Sequence, residues 1–324
     1  MRTLSGITPS GTLHIGNYFG ALKQFIDTQD KFDGFYFISD YHALTTGPDP
    51  KKLKENTYNI ILDYLALGLD PEKSTLFLQS NVPEHAELSW FLANVTPVAL
   101  LERAHSYKDK VAKGLAPNSG LFTYPVLMAA DILMYDPDFV PVGKDQKQHI
   151  EIARDIAIKF NSIYGEYFKL PQEMIQESVA VIPGTDGQKM SKSYDNTLEM
   201  FADEKALKKK VMSVVTDSTP LEEPKDPNTC NVFALYKLFA TKEQTDDMAS
   251  RYKAGNFGYG TAKKELLEIM LNYFKPYREK RKYLAENMDV VEKILKEGSE
   301  KAREIAIKKI KDVKSAVGLV GNIY

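Results

Sequence analysis

Short apolar runs alternate with helical spacings along the first half of the chain. Residues 4–7 predict a strand, and Ile15, Phe19, Leu22 and Ile26 then recur at the period of a helix. Residues 35–38 predict a second, buried strand, followed by a helix marked by Leu53, Thr57, Ile60, Ile61, Tyr64 and Leu65. Residues 75–79 and 139–142 predict two more, the latter followed by a helix through Ile150, Ala153, Ala157 and Phe160, and residues 178–182 predict a fifth. Strands alternating with helices imply an α/β fold, a Rossmann-like parallel sheet covered on both faces. Residues 83–138 break the alternation; they are mostly helical in pattern, hold no good strand, and read as a helical insertion. After residue 196 the β-branched runs disappear. Residues 197–324 carry charged helical patterns, ending in one apolar stripe of Val291, Ile294, Leu295, Gly298, Ala302, Ile305, Ala306 and Val313. The chain therefore divides into a sheet domain (1–183), a loop (184–196) and a C-terminal helical domain (197–324).

Composition narrows the class. At 324 residues, 43% hydrophobic and 27% charged, the chain fits a large domain plus a smaller one with a sizeable core. No apolar run approaches the roughly 18 residues of a membrane span. The N-terminus lacks the apolar core of a signal peptide, so a cytoplasmic protein is expected. The single cysteine, Cys230, excludes an intrachain disulfide and a cysteine-rich zinc site. A formal net charge of -2 argues against holding nucleic acid by bulk charge, while leaving room for a local basic patch. No two histidines stand at metal-ligand spacing, so no protein-held metal is expected.

Two stretches carry phosphate chemistry. P-S-G-T-L-H-I-G-N at residues 9–17 follows the first strand and opens the first helix. In an open parallel sheet, ligands bind at the carboxyl ends of strands, and a helix start offers free N–H groups to a phosphate. Gly11 and Gly16 permit close approach of a nucleotide, and His14 can donate to a phosphate oxygen. The plain alternative is an ordinary strand-to-helix turn. P-G-T-D-G-Q-K-M-S-K-S-Y-D-N at residues 183–196 promises a loop without regular structure, carrying Lys189, Ser191, Lys192 and Ser193, with Met190 its only core-type residue. Two lysines three residues apart, with hydroxyls, can clamp a polyphosphate. Taken alone, the loop reads better as a solvated linker.

A third stretch could form a pocket. Within residues 123–136, Tyr124, Met128, Asp131 and Tyr135 share one helical face. A carboxylate in such an apolar run needs a partner. Asp131 could accept from an indole N–H, a donor with no acceptor role, or be satisfied by a tyrosine hydroxyl or a lysine. A phenol can also donate, so this chemistry does not separate tryptophan from tyrosine.

The pair P-S-G-x-x-H-I-G-N and K-M-S-K-S resembles the so-called HIGH and KMSKS sequences of the class I aminoacyl-tRNA synthetases. Asn17 stands where the fourth HIGH residue is histidine elsewhere, as in the tryptophanyl branch. S-G-I-T-P at 5–9, D-Y-H-A-L-T at 40–45, M-A-A-D-I-L at 128–133 and V-G-K-D-Q-K-Q-H-I-E at 142–151 look like that branch too, and the resemblance spans essentially the whole chain. One departure is Thr8, where bacterial relatives often carry glutamine.

The resemblance implies ATP-dependent activation of L-tryptophan and its transfer to tRNA(Trp). It places Thr8, Pro9, Ser10, Gly16, Asn17, His42, Gly143, Lys144, Asp145, Ile182, Lys189, Met190, Ser191, Lys192 and Ser193 at ATP. His14, Lys189, Lys192 and Ser193 would act in the chemistry. Gly6, Tyr124, Met128, Asp131, Val140, Val142 and Gln146 would hold tryptophan, and Lys110 or Lys113 would add a cation. His149 reads as structural, and His85 and His105 carry no usable signal. Mg²⁺ is expected to arrive with ATP, and a homodimer with contacts in the insertion is implied. Lys205, Lys208, Lys209 and Lys210, and Arg278, Lys280, Arg281 and Lys282, are two basic clusters that could meet tRNA or simply face solvent. The rivals are a tyrosyl-tRNA synthetase, a catalytically silent synthetase-like protein that binds RNA or a partner, and a smaller nucleotidyltransferase. The last would lack this long helical C-terminal half.

Overall fold

The computed structural model describes residues 1–104, 107–108, 118–142, 147–175 and 182–320. Strands β1 (Arg2–Ile7), β2 (Asp33–Ile38), β3 (Ser74–Leu78), β4 (Phe139–Val142) and β5 (Gln172–Ile175) form one parallel sheet in the order β3-β2-β1-β4-β5. The Rossmann-like expectation is met, and the first four strands lie where the apolar runs put them. Most of the predicted strand at 178–182 lies outside the described residues. The observed fifth strand is earlier, at Gln172–Ile175, and its sequence Q-E-M-I carries no apolar run. As an edge strand paired only with β4, it needs less burial than a central strand, so hydrophobicity does not mark it.

Side chains alternate across the sheet. Phe35 and Phe37 enter the core on one face, and Tyr36 and Ile38 the core on the other. Helices Pro50–Leu67 and Tyr259–Glu286 cover the Tyr36 face, contributing Ile60, Leu65, Leu266 and Phe274. Helices Ser119–Leu133, Lys147–Tyr164 and Met288–Ala316 cover the Phe35 face through Ala130, Ile156 and Ala302. Both faces are thus dry, as an all-parallel sheet requires.

The insertion is helical where it is described, with Glu84–Ala93, Val98–Glu102 and Ser119–Leu133; Lys110, Lys113 and His105 lie outside the described residues. The apolar stripe at the end of the chain is buried, with Val291, Ala302, Ala306 and Val313 fully so. It does not stay within the helical half: helix Met288–Ala316 returns to pack on β3. A Cβ on Gly298 would overlap the Leu76 carbonyl oxygen. Asn81 Nδ2 donates to Ser299 Oγ at 3.3 Å, and Arg303 pairs with Glu84 at 2.9 Å. Gly298→Ala is therefore expected to cost on the order of 1–3 kcal/mol, the usual penalty for overpacking a close contact. An unchanged urea midpoint would contradict this backbone docking.

Candidate functional site

Strand order reverses between β1 and β4, so the carboxyl ends of these neighbours open a crevice. A cleft of about 1090 Å³ lies there. Gly6, Thr8, Pro9 and Ser10 line it from the end of β1, Ser39 and His42 from the turn after β2, Tyr124, Met128 and Asp131 from helix Ser119–Leu133, and Val140 from β4. Thr8 Oγ1 and Ser39 Oγ, 3.1 Å apart, join the ends of β1 and β2. Gly6 is required where it is, because a Cβ there would press into the Phe37 ring. The structure thus gathers most residues named for tryptophan with the first residues named for ATP. Gly143, Lys144, Asp145, Gln146 and the Val142 side chain lie outside the described residues.

Asp131 is 2% exposed, yet it reaches the cleft. Its satisfaction differs from either sequence alternative. Gln79 Nε2 donates to Oδ1 at 2.7 Å, His85 Nδ1 lies 2.6 Å from Oδ1, and His42 Nε2 lies 2.7 Å from Oδ2. Burial pushes this carboxyl up, but the charge and hydrogen bond of His42 and the bonds of His85 outweigh it, and the group sits below its ordinary value. Behind His85, Nε2 lies 2.7 Å from the Tyr135 hydroxyl. Sequence reasoning missed Gln79 and His85, which no local spacing ties to Asp131; only the fold brings residues 52 and 46 positions apart together. His149 does bond a neighbour, its Nε2 lying 3.1 Å from the Tyr124 hydroxyl.

The lysine loop is more ordered than its composition implies. Residues Pro183 and Lys189 pair as an antiparallel bridge, the chain turns at Gly187 with φ of 82°, and Met190 N–H donates to Ile182 O at 2.9 Å. Asn196 ties the loop: its Oδ1 accepts from Ser191 N–H at 2.7 Å, and its Nδ2 donates to Asp186 Oδ1 and Lys189 O at 2.8 and 3.1 Å. Met190 and Ile182 are buried in the core with Ile15. Lys189 and Ser193 are exposed, and the Ser191 and Ser193 hydroxyls are 2.8 Å apart.

Beyond the loop, the chain joins the first motif directly. Ile15 N–H donates to Leu198 O at 3.0 Å, and His14 pairs with Glu199. Lys192 Nζ lies 3.7 Å from where a Gly11 Cβ would stand. Asn17 Oδ1 accepts from His14 N–H at 3.1 Å, capping the helix start. His14 is 5% exposed; burial and then the Lys192 charge push its imidazole down to about 4, so it is neutral at pH 7. Burial also lowers Lys192, against the opposing pull of Glu199 and Asp63. A buried His14 Nδ1 has no hydrogen-bond partner among the described residues. An anion lodged between Lys192 and His14 could accept from both the Lys192 amine and a His14 ring N–H.

The two basic clusters are partly tied down within the protein. Arg281 donates to Asp63 Oδ1 at 2.6 Å and to Asn59 Oδ1 at 2.8 Å, and its guanidinium lies over Phe201. Arg278 donates to Ala202 O at 2.7 Å. Arg281 therefore joins the long helix to the sheet side, and Arg278 joins it to the segment before helix Glu204–Met212. Lys210 is drawn to Asp195, while Lys205, Lys208, Lys209, Lys280 and Lys282 remain exposed.

A family model described as tRNA synthetases class I (W and Y) matches residues 1–275. A tryptophan–tRNA ligase of Fusobacterium nucleatum subsp. nucleatum is 66% identical over 324 residues, covering 100% of this chain and 99% of the relative. One from Rhodopirellula baltica is 53% identical over 319 residues, covering 98% of this chain and 100% of the relative. The crystal structure of tryptophanyl-tRNA synthetase from Campylobacter jejuni complexed with ADP and tryptophan matches with a TM-score of 0.95 at 54% identity, over 98% of this chain and 100% of that one.

Proposed function

The chain belongs to the class I tRNA synthetases of the tryptophan and tyrosine group, and from that membership we propose that it activates L-tryptophan with ATP and transfers it to tRNA(Trp). One observation carries the reading: a single cleft is lined both by the Asp131 carboxylate and by Thr8, Pro9 and Ser10 in the turn after β1, with His14 and Lys192 close to that turn. Relatives of matching length favour tryptophan over tyrosine.

The tryptophan carboxylate attacks the α-phosphorus of ATP and pyrophosphate leaves. A carboxylate is already a nucleophile at pH 7, so no general base is needed, and catalysis rests on positioning and charge stabilisation. That fits a site with hydroxyls, lysines and backbone N–H groups and no dyad aimed at the reacting carboxylate. On this reading Asp131 accepts the indole N–H, with Gly6, Tyr124, Met128, Val140, Val142 and Gln146 around the ring. His14, Gly16 and Asn17 form the floor of the phosphate site with Thr8, Pro9 and Ser10. Gly143, Lys144, Asp145 and Ile182 serve the ribose and adenine side, and His42, bonded to Asp131, stands near the nucleotide or the carboxylate of the amino acid. Lys189 and Lys192, with Met190, Ser191 and Ser193, hold the β- and γ-phosphates. The donor set there consists of amines and hydroxyls, which suits phosphate oxygens; Mg²⁺ bound to ATP would neutralise part of the phosphate charge. The 2′-hydroxyl at the tRNA 3′ end then attacks the adenylate carbonyl.

The helical half, 197–324, is read as the tRNA-binding part through its exposed lysines. A homodimer through the insertion finds support in Trp90 and Val98, which are 70% and 61% exposed. No described helix is long and apolar enough to cross a membrane; the cytoplasm is the natural site for this chemistry. Exchange of pyrophosphate into ATP, run with each amino acid in turn, tests the reading. Exchange with tryptophan alone is expected; exchange with tyrosine alone, or with none, would overturn it.

A further inference from the structure

The Asp131 carboxylate is held by more partners than recognition of one side chain requires. A carboxylate offers about four acceptor sites. Gln79 and His85 occupy Oδ1, His42 occupies one site on Oδ2, and one Oδ2 site remains for the cleft. His85 is 0% exposed and cannot exchange these bonds for water. Its ring lies among Phe37, Phe77 and Tyr135, and Tyr135 is in turn stacked on Phe35 with ring centroids 5.3 Å apart. Burial, then the charges of Asp131 and Glu84, holds the Tyr135 phenol well above its ordinary value, so its hydroxyl keeps its proton. A Tyr135 O–H donated to His85 Nε2 makes that nitrogen the acceptor. The proton of the neutral ring is then on Nδ1, facing Asp131.

We propose that the buried pair Tyr135 and His85 positions Asp131 for tryptophan selection: it fixes His85 as a donor and so leaves Asp131 one outward acceptor site, matched to a side chain bearing one N–H. Neither residue touches the substrate; both act through the carboxylate. The inference rests on the cleft being the tryptophan site. A ring without that N–H leaves the acceptor unpaired in a buried place, which costs binding.

The test compares tryptophan with its benzothiophene analogue, in which sulfur replaces N–H, by Michaelis constants in pyrophosphate exchange. The unaltered protein is expected to prefer tryptophan by about 10-fold or more. Tyr135→Phe, which removes only the hydroxyl, and His85→Leu should bring this preference toward one, through a higher constant for tryptophan and a nearly unchanged one for the analogue. His85→Asn, whose amide nitrogen can stand where Nδ1 stands, should keep most of the preference. A merely structural role would raise both constants together, and an unchanged preference in Tyr135→Phe and His85→Leu would overturn the proposal. Absence of tryptophan-dependent exchange in the unaltered protein would instead overturn the functional reading, and this inference with it.

Discussion

Lys192→Ala is expected to slow tryptophan-dependent pyrophosphate exchange by about 100-fold or more, the usual loss when one preorganised charge partner of a transition state is removed. The reason lies in where the amine stands. It lies against Gly11, beside a neutral, buried His14, while the residue as a whole stays open to solvent. Burial lowers Lys192, and that cost is offset when phosphate oxygens arrive; the gain is largest as charge builds on the departing pyrophosphate. Tryptophan binding should change little, because Lys192 bonds neither Asp131 nor any of its partners and does not line the cleft beside them. Calorimetric titration of tryptophan, set beside the exchange rate, separates the two. A near-normal rate would remove Lys192 from the chemistry, and a large loss of tryptophan affinity would mean that the lysine and the Asp131 pocket are not independent.

Asp131→Ala should raise the Michaelis constant for tryptophan by about 100-fold, since it removes a charged hydrogen-bond acceptor from a buried site. It also strands Gln79, His85 and His42, whose donors all converge on this carboxylate. Each buried donor left unpaired costs about 1–3 kcal/mol, so a fall in thermal stability should accompany the kinetic effect. Asp131→Asn separates the two losses. It keeps the volume and one acceptor oxygen, but its amide sets a donor against a donor at one of the sites. Its stability should lie nearer that of the unaltered protein, with tryptophan affinity still reduced. An unchanged Michaelis constant in both variants would take Asp131 out of the pocket.

The central sheet and its four inner and early strands were legible because each is an apolar run bounded by turn residues. β5 was not, since an edge strand with the sequence Q-E-M-I buries too little to stand out. The helical nature of the last third was clear from its spacing, but not where it goes. A glycine in a helical stripe says that something approaches closely; only the fold shows that at Gly298 it is the backbone of β3. The meeting of His14 and Lys192 was legible because each sits in a contiguous motif. The tie through Asn196 is not legible in the sequence, because a loop rich in glycine and lysine reads as loose until its hydrogen bonds are traced. The support of Asp131 was hidden for another reason. His85 comes from the insertion and Gln79 from the end of β3, and no pattern in one sequence joins them to helix Ser119–Leu133. On the sequence Arg278 and Arg281 could meet tRNA or simply face solvent, and the fold shows both bonded within the protein.

The account stands on one claim, that the two motifs and Asp131 form a single site for tryptophanyl-adenylate. A crystal structure with a non-hydrolysable analogue of that adenylate tests it most directly. The account predicts the indole N–H donating to Asp131 Oδ2, the α-phosphate over Thr8–Ser10 and beside His14, and Lys192 turned toward the space vacated by pyrophosphate. An analogue bound with its indole away from Asp131, or with its phosphate away from the turn after β1, would contradict it.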